Sequence, residues 1–303
     1  MKLLVALGGN ALLRRGQRLT LENQRASIAL AAGQLAQLAV HHQLIVTHGN
    51  GPQVGLLAMQ EMAYDAGAVD PLDVLGAQTE GLIGYLLEQA LGNVLPATRS
   101  IATLLTRVEV DRHDPALAHP TKPVGPLYSA AQAQQLALAH GWTIGSDGAG
   151  MRRLVASPRP LRVLGLGVIE CLLAHGTLVI VAGGGGIPVA RTEGDEALVG
   201  VDGVIDKDYC SALLARDLEV DCLIVATDVD AVYLDWGLPG ARALRKSTPR
   251  ELAGSQFAAG SMGPKVLAAC DFVARTGRRA VIGAIGQIDA MLAGKAGTEI
   301  RPG

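Results

Sequence analysis

The sequence predicts an α/β protein, an open αβα sandwich in which a mostly parallel sheet is covered by helices on both faces. Short apolar runs typical of buried strands alternate with longer segments of helical periodicity over most of the 303 residues. Several of these strands end in glycine-rich loops. Hydrophobic residues make up 49% of the chain but aromatic residues only 3%. A core of Ala, Val, Leu and Ile favours helices packed on a buried sheet.

The first half of the chain predicts two units in which a strand runs into a glycine loop. The first strand covers residues 3–7 and ends at Gly8, and the second covers residues 44–47 and ends in His48-Gly-Asn-Gly-Pro52. Thr20 can cap the helix between them. Two amphipathic helices and one or two strands should follow, over residues 54–63, 72–91 and 98–110. The glycines of the second helix permit close packing against a neighbour, for example another subunit.

Residues 111–160 differ in character, because prolines and glycines interrupt them and their helical signal is confined to residues 130–140. We interpret this interval as a small subdomain or flap that leaves the main sheet. After it, the pattern predicts helices over residues 163–174, 204–218 and 262–276, and strands over residues 178–182, 222–226 and 279–285.

Charge and composition argue against several classes of protein. The net charge is −2, and no cluster of basic residues is longer than a pair, so we expect no nucleic-acid partner. The apolar start of the chain is too short for a signal peptide or a membrane span, which suggests a cytoplasmic protein without a membrane partner. The four cysteines lie far apart and are expected to be buried thiols.

Glycine loops at strand ends are candidate anion sites. The apolar run at residues 178–182 stops at four consecutive glycines, Gly183 to Gly186. Without a Cβ, such a loop can present backbone N–H groups to a phosphate or carboxylate at close range. For a single loop, a tight strand-to-helix turn is an equally good explanation. In a parallel sheet, however, ligands bind beyond the carboxyl ends of the strands, where all these loops lie.

Lysine usage points to phosphoryl transfer. The chain has six lysines against twenty arginines, and Lys122, Lys207 and Lys265 each lie in a loop or at a helix start. A compact ammonium can follow the charge on a phosphoryl group in transfer. Any one of these lysines could be an ordinary solvated charge, but together they favour a site. Asp206 and Asp208 flank Lys207 and could orient it, hold a magnesium ion, or simply begin a helix.

Other candidate residues carry weaker signals. Asp228 and Asp230 follow a strand and could bind ribose hydroxyls, with Tyr233 beside a purine. His48 is better explained as a loop histidine bonded to backbone than as a base. The chain contains no GxxxxGK[ST] motif and no GxGxxG after a strand, which disfavours a Walker-type NTPase and a nicotinamide-dependent oxidoreductase.

Six motifs, in order and spread over essentially the whole chain, resemble the amino-acid kinase family. Within that family they are similar to the enzymes that transfer a phosphoryl group between ATP and carbamate. The motifs are Val5-Ala-Leu-Gly-Gly-Asn-Ala11, His48-Gly-Asn-Gly-Pro-Gln-Val-Gly55, Pro120-Thr-Lys-Pro-Val-Gly-Pro126, Gly183-Gly-Gly-Gly-Ile-Pro-Val189, Val204-Ile-Asp-Lys-Asp208 and Gly260-Ser-Met-Gly-Pro-Lys265.

The resemblance implies the fold, assembly and reaction of this family. A single domain, residues 1–303, would carry a protruding subdomain at residues 111–160. Residues 1–200 would form the carbamate side and residues 201–303 the nucleotide side. The expected assembly is a homodimer. The expected reaction converts ATP and carbamate reversibly to ADP and carbamoyl phosphate, with Mg²⁺.

The resemblance also implies residue roles. Lys207 and Lys265 would stabilise the transition state, Asp208 would hold both lysines, and Lys122 would close over the substrates. The glycine loops would surround the carbamate and the phosphoryl group through Gly8, Gly9, Asn10, Gly49, Asn50, Gly51, Gly183 and Gly184. The nucleotide would contact Asp228, Tyr233, Met262 and Pro264. No residue is assigned as a metal ligand.

Two alternatives remain at this point. The chain could be another amino-acid kinase that phosphorylates a different small acid, although Ile187-Pro188 after the glycines fits a cramped acceptor pocket. It could also be a catalytically silent member that binds nucleotide, although Lys207, Asp208 and Lys265 argue against this. Arginine fermentation, allantoin breakdown and purine breakdown all remain open as metabolic contexts, as does the direction of flux.

Overall fold

A computed structural model describes residues 1–13, 17–65, 69–148, 150–258 and 260–303, but not the side chains of Asn10 and Ala11. The role expected for the Asn10 side chain therefore lies outside the described part. The strands are β1 Lys2–Leu7, β2 Gln43–His48, β3 Ile101–Thr103, β4 Arg107–Val110, β5 Lys122–Tyr128, β6 Thr143–Asp147, β7 Gly150–Val155, β8 Pro160–Val163, β9 Leu178–Ile180, β10 Ile187–Arg191, β11 Leu198–Gly200, β12 Cys222–Thr227, β13 Val232–Leu234, β14 Arg242–Leu244, β15 Lys246–Ser247, β16 Arg279–Ala284 and β17 Thr298–Ile300.

The helices surround these strands. They are α1 Gly9–Leu12, α2 Leu21–Ala39, α3 Gly51–Tyr64, α4 Leu72–Gly92, α5 Ala130–His140, α6 Leu166–Ala174, α7 Lys207–Asp217, α8 Pro249–Leu252, α9 Met262–Thr276 and α10 Ile288–Leu292. Single 3₁₀ turns are formed by Pro115–Leu117, Gly183–Gly185 and Ile285–Gln287.

The main sheet has eight strands in the order β15-β17-β16-β12-β1-β2-β9-β3. The pairing is parallel except between β16 and β17. β1 lies between β12 and β2, so that Leu7 pairs with Ala226 on one side and with His48 on the other. The loops that follow these central strands therefore begin side by side at one edge of the sheet.

Each face of the main sheet is buried against helices. In β1, Leu4 and Ala6 pack on one side in a cluster that includes Leu214 of α7 and Phe272 of α9. Leu3, Val5 and Leu7 of the same strand pack on the other side with residues from α2, α4 and α10. Alternate side chains of a strand point to opposite faces, so both faces must be covered. The predicted αβα sandwich is confirmed.

Three smaller sheets lie outside the main one, of which the two-stranded sheet pairs β13 with β14. The sheet β11-β10-β4-β8 includes the strand that follows the four glycines, because β10 begins at Ile187 and pairs in parallel with β4. The antiparallel sheet β5-β7-β6 comes from the Pro- and Gly-rich interval, together with α5. Gly55 of α3 lies against Gly125 of β5, where a Cβ on Gly55 would overlap the backbone of Gly125. This close approach joins the antiparallel sheet to the helix that follows the second glycine loop.

Several local predictions are confirmed and others are wrong. Thr20 caps α2, and α5 and α9 have the predicted bounds. The helix predicted from residue 163 begins only at Leu166, because Val163 pairs with Val108 in an antiparallel ladder and Gly165 turns the chain at φ +78°. The helix predicted from residue 204 begins at Lys207, since Asp206 is its cap.

The expectation of four buried cysteines is also wrong. Cys210 and Cys222 are buried and Cys270 is half-buried, but Cys171 is exposed. Cys171 lies on α6, where Ile169 and Leu173 are the buried positions, so the side chain of residue 171 points away from the core.

Within the described ranges, no helix combines the length and the apolar character needed to cross a bilayer.

Candidate active site

The centre of the site is a buried carboxylate between two lysines. Asp208 Oδ1 accepts a hydrogen bond from Lys207 Nζ at 2.6 Å, and Asp208 Oδ2 accepts one from Lys265 Nζ at 3.0 Å. Lys207 and Asp208 are the first two residues of α7, whereas Lys265 lies in the first turn of α9. Only 8% of Lys207 and 4% of Asp208 is exposed, so this triad works in a low-dielectric environment.

A second ion pair lies beside the triad. Asp206 Oδ1 accepts from the backbone N–H of Asp208 at 2.9 Å and thereby caps α7. Its other oxygen accepts from Lys122 Nζ at 2.7 Å. Lys122 is the first residue of β5, in the antiparallel sheet. The third predicted lysine is thus joined to the helix that carries the other two.

The first two glycine loops meet next to Lys207. A Cβ on Gly49 would lie 3.0 Å from the backbone nitrogen of Gly9 and 3.4 Å from Cδ of Lys207. The backbone N–H of Gly8 donates to the carbonyl of Ala226 at 2.8 Å. Gly51 is the first residue of α3, and Asn50 is at the cap position. The N–H of Gly51 is therefore one of those that the helix leaves unpaired.

The glycine tetrad reaches the same place from β9. Ala182 and Gly184 turn the chain at φ +50° and +70°, and a Cβ on Gly184 would overlap the side-chain amide of Asn50. A Cβ on Gly185 would lie 2.6 Å from the carbonyl oxygen of Ile205, just before α7. Positions 184 and 185 need glycine because the loop packs directly on Asn50 and on the chain that leads to Lys207.

Burial and neighbouring charges shift the pKa values of the three side chains in the triad. The two lysines hold the pKa of the Asp208 carboxyl far below its usual value, although burial alone would raise it. Burial lowers the pKa of Lys207, and the Asp208 carboxylate opposes this effect. Burial also opposes protonation of Lys265, but the carboxylates of Asp208, Asp206 and Asp228 raise the pKa of this lysine. Lys265 therefore carries a full positive charge at neutral pH.

Two titratable side chains lie behind the tetrad. A Cβ on Gly183 would overlap the His48 ring and come within 2.9 Å of Cγ of Glu80. His48 Nδ1 contacts the carbonyl of Gly49 at 3.2 Å, as the sequence predicted, and burial lowers its pKa to about 4. Glu80 is 1% exposed, and burial raises its pKa to about 8. Both groups are therefore mainly neutral near pH 7.

Of the residues predicted for the nucleotide, Met262, Pro264 and Asp228 lie near Lys265. Met262 and Pro264 share the first turn of α9 with Lys265. The carboxylate of Asp228, which follows β12, is among the groups that raise the pKa of Lys265. Tyr233 donates its hydroxyl to Asp230 Oδ1 at 2.8 Å, and its ring meets that of Trp236 edge-on at 5.0 Å. The side chains of Tyr233 and Trp236 thus form a small aromatic group near this end of the sheet.

The described residues do not form a protein cage for a metal. No group of three or more His, Cys, Asp or Glu side chains with suitable spacing occurs within them. Both oxygens of Asp206 and both oxygens of Asp208 accept hydrogen bonds within the chain. Magnesium at this pair of carboxylates stays a prediction.

The structure brings most predicted residues together, and it adds three that the sequence analysis missed. Lys122, Lys207, Asp208, Lys265 and the loops at Gly9, Gly49, Asn50 and Gly184 form one continuous group. Thr79, Glu80 and Thr106 were not predicted. Thr79 and Glu80 lie on the buried side of α4 among Leu75, Ile83 and Leu87. Polar residues on an apolar helix face were the signal that could have revealed them.

The fold and this site define a phosphotransferase of the αβα type. The sequence model of the Amino acid kinase family matches residues 1–284, and the chain belongs to this family. Within the family it is similar to the carbamate kinases. The carbamate kinase of Rhizobium meliloti (strain 1021) is 56% identical over 301 residues, covering 99% of this chain and 93% of that protein.

Solved structures show the same likeness. The carbamate kinase from Giardia lamblia bound to citric acid superimposes with a TM-score of 0.93 at 38% identity, covering 100% of this chain and 98% of that one. The same Giardia enzyme bound to AMP-PNP gives a TM-score of 0.87 at 37% identity, with 100% and 98% covered. The resemblance read from the six motifs is confirmed.

Proposed function

We propose that the chain is a carbamate kinase, which transfers a phosphoryl group reversibly between ATP and carbamate. The observation that carries this proposal is the buried Lys207–Asp208–Lys265 triad next to the loops at Gly9 and Gly49. Identity of 56% to a carbamate kinase over nearly the full length of both chains supports the same activity. Neither alternative, a kinase of a different small acid or a silent nucleotide-binding member, has a comparable observation in its favour.

The chemistry requires charge neutralisation rather than a base. A carbamate oxygen attacks the γ-phosphorus of ATP, the bond to the β,γ-bridging oxygen breaks, and ADP leaves with that electron pair. Carbamate is already an anion, so no proton has to be removed. The main obstacle is repulsion between two anions, which buried ammonium groups and fixed backbone N–H groups reduce. In the reverse direction an ADP oxygen attacks carbamoyl phosphate in the same geometry.

Each lysine has a distinct place in this proposal. Lys207, beside Gly9 and Gly49, acts on the group in transfer, and Lys265, on the side of Asp228, acts on the β- and γ-phosphates. Asp208 holds both ammonium groups at a fixed separation. The backbone N–H groups of Gly9, Gly51 and Gly184 bind the carbamate and the phosphoryl oxygens, and the Asn50 amide contacts the carbamate. Gly8, Gly49 and Gly183 line the same space, but their N–H groups are donated to Ala226, Leu7 and Glu80.

The nucleotide is proposed to lie beyond Lys265. The relative from Giardia lamblia was solved with AMP-PNP, an ATP analogue, which supports an ATP site in the same fold. Asp228, Tyr233, Met262 and Pro264 are proposed to contact the nucleoside. Magnesium enters as the MgATP or MgADP complex, because this ion is usually bound through substrate phosphates and waters rather than by an all-protein cage.

The organisation of the chain follows from these roles. Residues 1–200 supply the carbamate side, and residues 201–303 the nucleotide side. Residues 111–160 act as a protruding subdomain that brings Lys122 over the substrates. Location in the cytoplasm is proposed because ATP and ADP are available there.

We also propose a homodimer. The outer face of α4 exposes Leu82 and Tyr85 by 45% and 55%, and the nearby Leu105 by 60%. Gly81 lies against Leu105, because a Cβ on Gly81 would be 3.9 Å from the leucine side chain. Gly84, in contrast, is explained within the chain, since it packs on Thr103. An exposed apolar face of this kind is typical of a subunit contact.

The direct test is ATP synthesis from carbamoyl phosphate. The purified full-length chain is mixed with ADP, Mg²⁺ and carbamoyl phosphate, and ATP is followed with luciferase. We expect ATP formation that depends on all three additions and is lost in a Lys207→Met variant. Absence of ATP above the enzyme-free background would refute the proposal. Phosphorylation of other small carboxylic acids by ATP, measured in parallel, would identify the alternative kinase activity.

A further inference from the structure

We propose that Thr79 and Glu80 are positioning residues for the transfer reaction, although neither touches the substrates. From α4, behind the substrate loops, Thr79 orients the Asn50 amide and Glu80 holds the first N–H of the glycine tetrad. This inference rests on the proposed function, because Asn50 and Gly183 matter only if their loops bind the carbamate and the phosphoryl group.

The Thr79 hydroxyl determines which end of the Asn50 amide faces the helix. Its oxygen lies 2.9 Å from the carbonyl oxygen of Leu75 and 3.0 Å from that of Gly76, and its one proton is donated to these backbone acceptors. The same oxygen lies 3.0 Å from Asn50 Nδ2 and must accept there. Thr79 is 1% exposed and Asn50 4%, so water cannot easily replace this bond. The amide nitrogen is thus held toward α4, and the carbonyl oxygen Oδ1 is turned away from Thr79.

This orientation has a consequence for substrate choice. A carbonyl oxygen accepts hydrogen bonds from N–H groups and repels carboxylate oxygens. An Asn50 amide held in this way suits the amino group of carbamate or carbamoyl phosphate. Acetyl phosphate has a methyl group in place of that amino group and cannot make this hydrogen bond. Discrimination between the two acyl phosphates should therefore depend on Thr79.

Glu80 secures the neighbouring loop through backbone hydrogen bonds. Its Oε1 accepts from the N–H of Gly183 at 2.8 Å, and its Oε2 from the N–H of Thr106 at 3.3 Å. The Thr106 hydroxyl in turn accepts from the N–H of Ala182 at 2.9 Å. The turn from β9 into the tetrad is therefore held at two successive amides. The titratable groups that face Glu80 are His48, beside Gly183, and Cys210 of α7.

Adjacent positions on one helix serve two different loops. Successive side chains of an α-helix point about 100° apart, so Thr79 can reach the loop after β2 while Glu80 reaches the loop after β9. A Cβ on Gly184 would overlap Asn50, which shows that the two loops also touch each other. α4 thereby fixes the relative position of two groups that must surround one small substrate.

The test compares Thr79→Val with Thr103→Val as a matched control. Thr103 donates its hydroxyl to Glu88 Oε2 at 2.6 Å, against the same helix but away from the glycine loops. For each protein, kcat/KM is measured with carbamoyl phosphate and with acetyl phosphate, together with the KM for ADP and the Tm. Thr79→Val should lower kcat/KM for carbamoyl phosphate about tenfold or more and that for acetyl phosphate less than about threefold. The KM for ADP should stay within about twofold.

The control variant and the wild-type enzyme make the outcomes distinguishable. Thr103→Val should leave the ratio of the two kcat/KM values unchanged. An unchanged ratio in Thr79→Val, or an equal loss with both acyl phosphates, would overturn the inference for Thr79. A wild-type enzyme that forms no ATP from carbamoyl phosphate would instead overturn the proposed function.

Glu80 is tested through the acceptor that it supplies. Glu80→Leu keeps most of the volume but removes the acceptor for Gly183, and should lower kcat about thirtyfold or more. Glu80→Gln retains one acceptor oxygen and should recover most of that loss. Wild-type kcat in Glu80→Leu, or equal impairment of the two variants, would overturn the role of Glu80. If Glu80→Leu does not fold, Glu80→Gln alone decides the outcome. A Glu80→Gln variant with the wild-type Tm but a kcat lowered about thirtyfold would likewise overturn the role of Glu80.

Discussion

Lys122 and Asp206 are 84 residues apart in the chain, yet Lys122 Nζ lies 2.7 Å from Asp206 Oδ2. The lysine begins β5 of the antiparallel sheet, and the aspartate caps α7, which carries Lys207 and Asp208. One ion pair thus joins the interval at residues 111–160 to the start of the helix at the centre of the site. Each side chain is about a fifth exposed, at 20% and 18%, so solvent screens this pair only in part.

Replacing Asp206 by Asn separates the two tasks of this residue. Asn caps a helix as well as Asp does, so α7 should keep its start, whereas Lys122 loses its carboxylate partner. We expect kcat/KM for carbamoyl phosphate to fall about tenfold, with the free energy of unfolding changed by less than about 1 kcal/mol. Asp271→Asn is the control, since it removes an exposed pair with Arg275 on α9. Unaltered kinetics in Asp206→Asn would contradict the importance of the Lys122 contact.

Removing the Lys207 charge should abolish most turnover. Lys207→Met keeps the aliphatic length but leaves the group in transfer without its nearest ammonium. Loss of such a charge in phosphoryl transfer costs about 10³-fold or more in kcat. Lys246→Met, at an exposed position of β15, should retain wild-type kcat. Rapid-quench or coupled assays with both variants provide the measurement, and near-normal kcat in Lys207→Met would disprove the charge argument.

The buried Glu80 should make stability depend on pH. Its pKa is raised from 4.5 to about 8 in the folded chain, so between these values the folded state binds more protons than the unfolded state. Stability therefore falls as pH rises, by about 1.5 kcal/mol between pH 6.5 and 8. His48, with its pKa lowered to about 4, has the opposite effect but acts mainly below pH 6.5.

Urea unfolding at pH 6.5 and pH 8 checks this prediction. The control is Glu80→Gln, which has the same shape but does not titrate. Subtracting its pH dependence from that of the wild-type chain cancels contributions from other groups. A wild-type chain whose stability changes with pH no more than that of Glu80→Gln would show that Glu80 is already ionised at neutral pH.

Two glycines with similar backbone conformations separate strain from steric overlap. Gly184 and Gly141 have φ values of +70° and +65°, but a Cβ would overlap Asn50 only at Gly184 and has no atom within 4 Å at Gly141. Gly141→Ala should cost about 1 kcal/mol of stability with unchanged kcat. Gly184→Ala should displace Asn50, lower kcat by about 10²-fold and cost more stability than Gly141→Ala. Similar effects of the two substitutions on kcat would contradict the packing of Gly184 on Asn50.

The proposed dimer can be tested on the outer face of α4. Sedimentation equilibrium should give twice the chain mass of 31.3 kDa for the wild-type protein. A charge on the apolar face should prevent association, so a Leu82→Glu, Tyr85→Glu double variant should sediment as a monomer. Leu138→Glu on α5, where the leucine is 82% exposed, should remain a dimer. A wild-type monomer, or a double variant that still dimerises, would refute this interface.

Features determined by neighbouring residues were predicted correctly from the sequence, whereas features determined by contacts between distant residues were not. α5 was predicted at its observed bounds because local signals define both ends: a capping box at Ser129 begins the helix, and a left-handed Gly141 ends it. The start of α6 was predicted wrongly because Val163 pairs with Val108, a partner 55 residues away that no local pattern reveals. The same limit applied to the site. Lys207 and Lys265 could be selected by residue type, but Thr79 and Glu80 appear as ordinary helix positions until their loop partners are known.

The sequence by itself determined the central strands of the main sheet and the helices between them, the glycine-ended strands and the three lysines that identify the family, because these depend on local periodicity and residue chemistry. Only the tertiary structure decided that Asp208 separates Lys207 from Lys265, that Lys122 pairs with Asp206, and that α4 lies behind two glycine loops. Such contacts join residues distant in the chain, and burial determines their charge. Neither the distance between two side chains nor their exclusion from water is encoded in neighbouring residues.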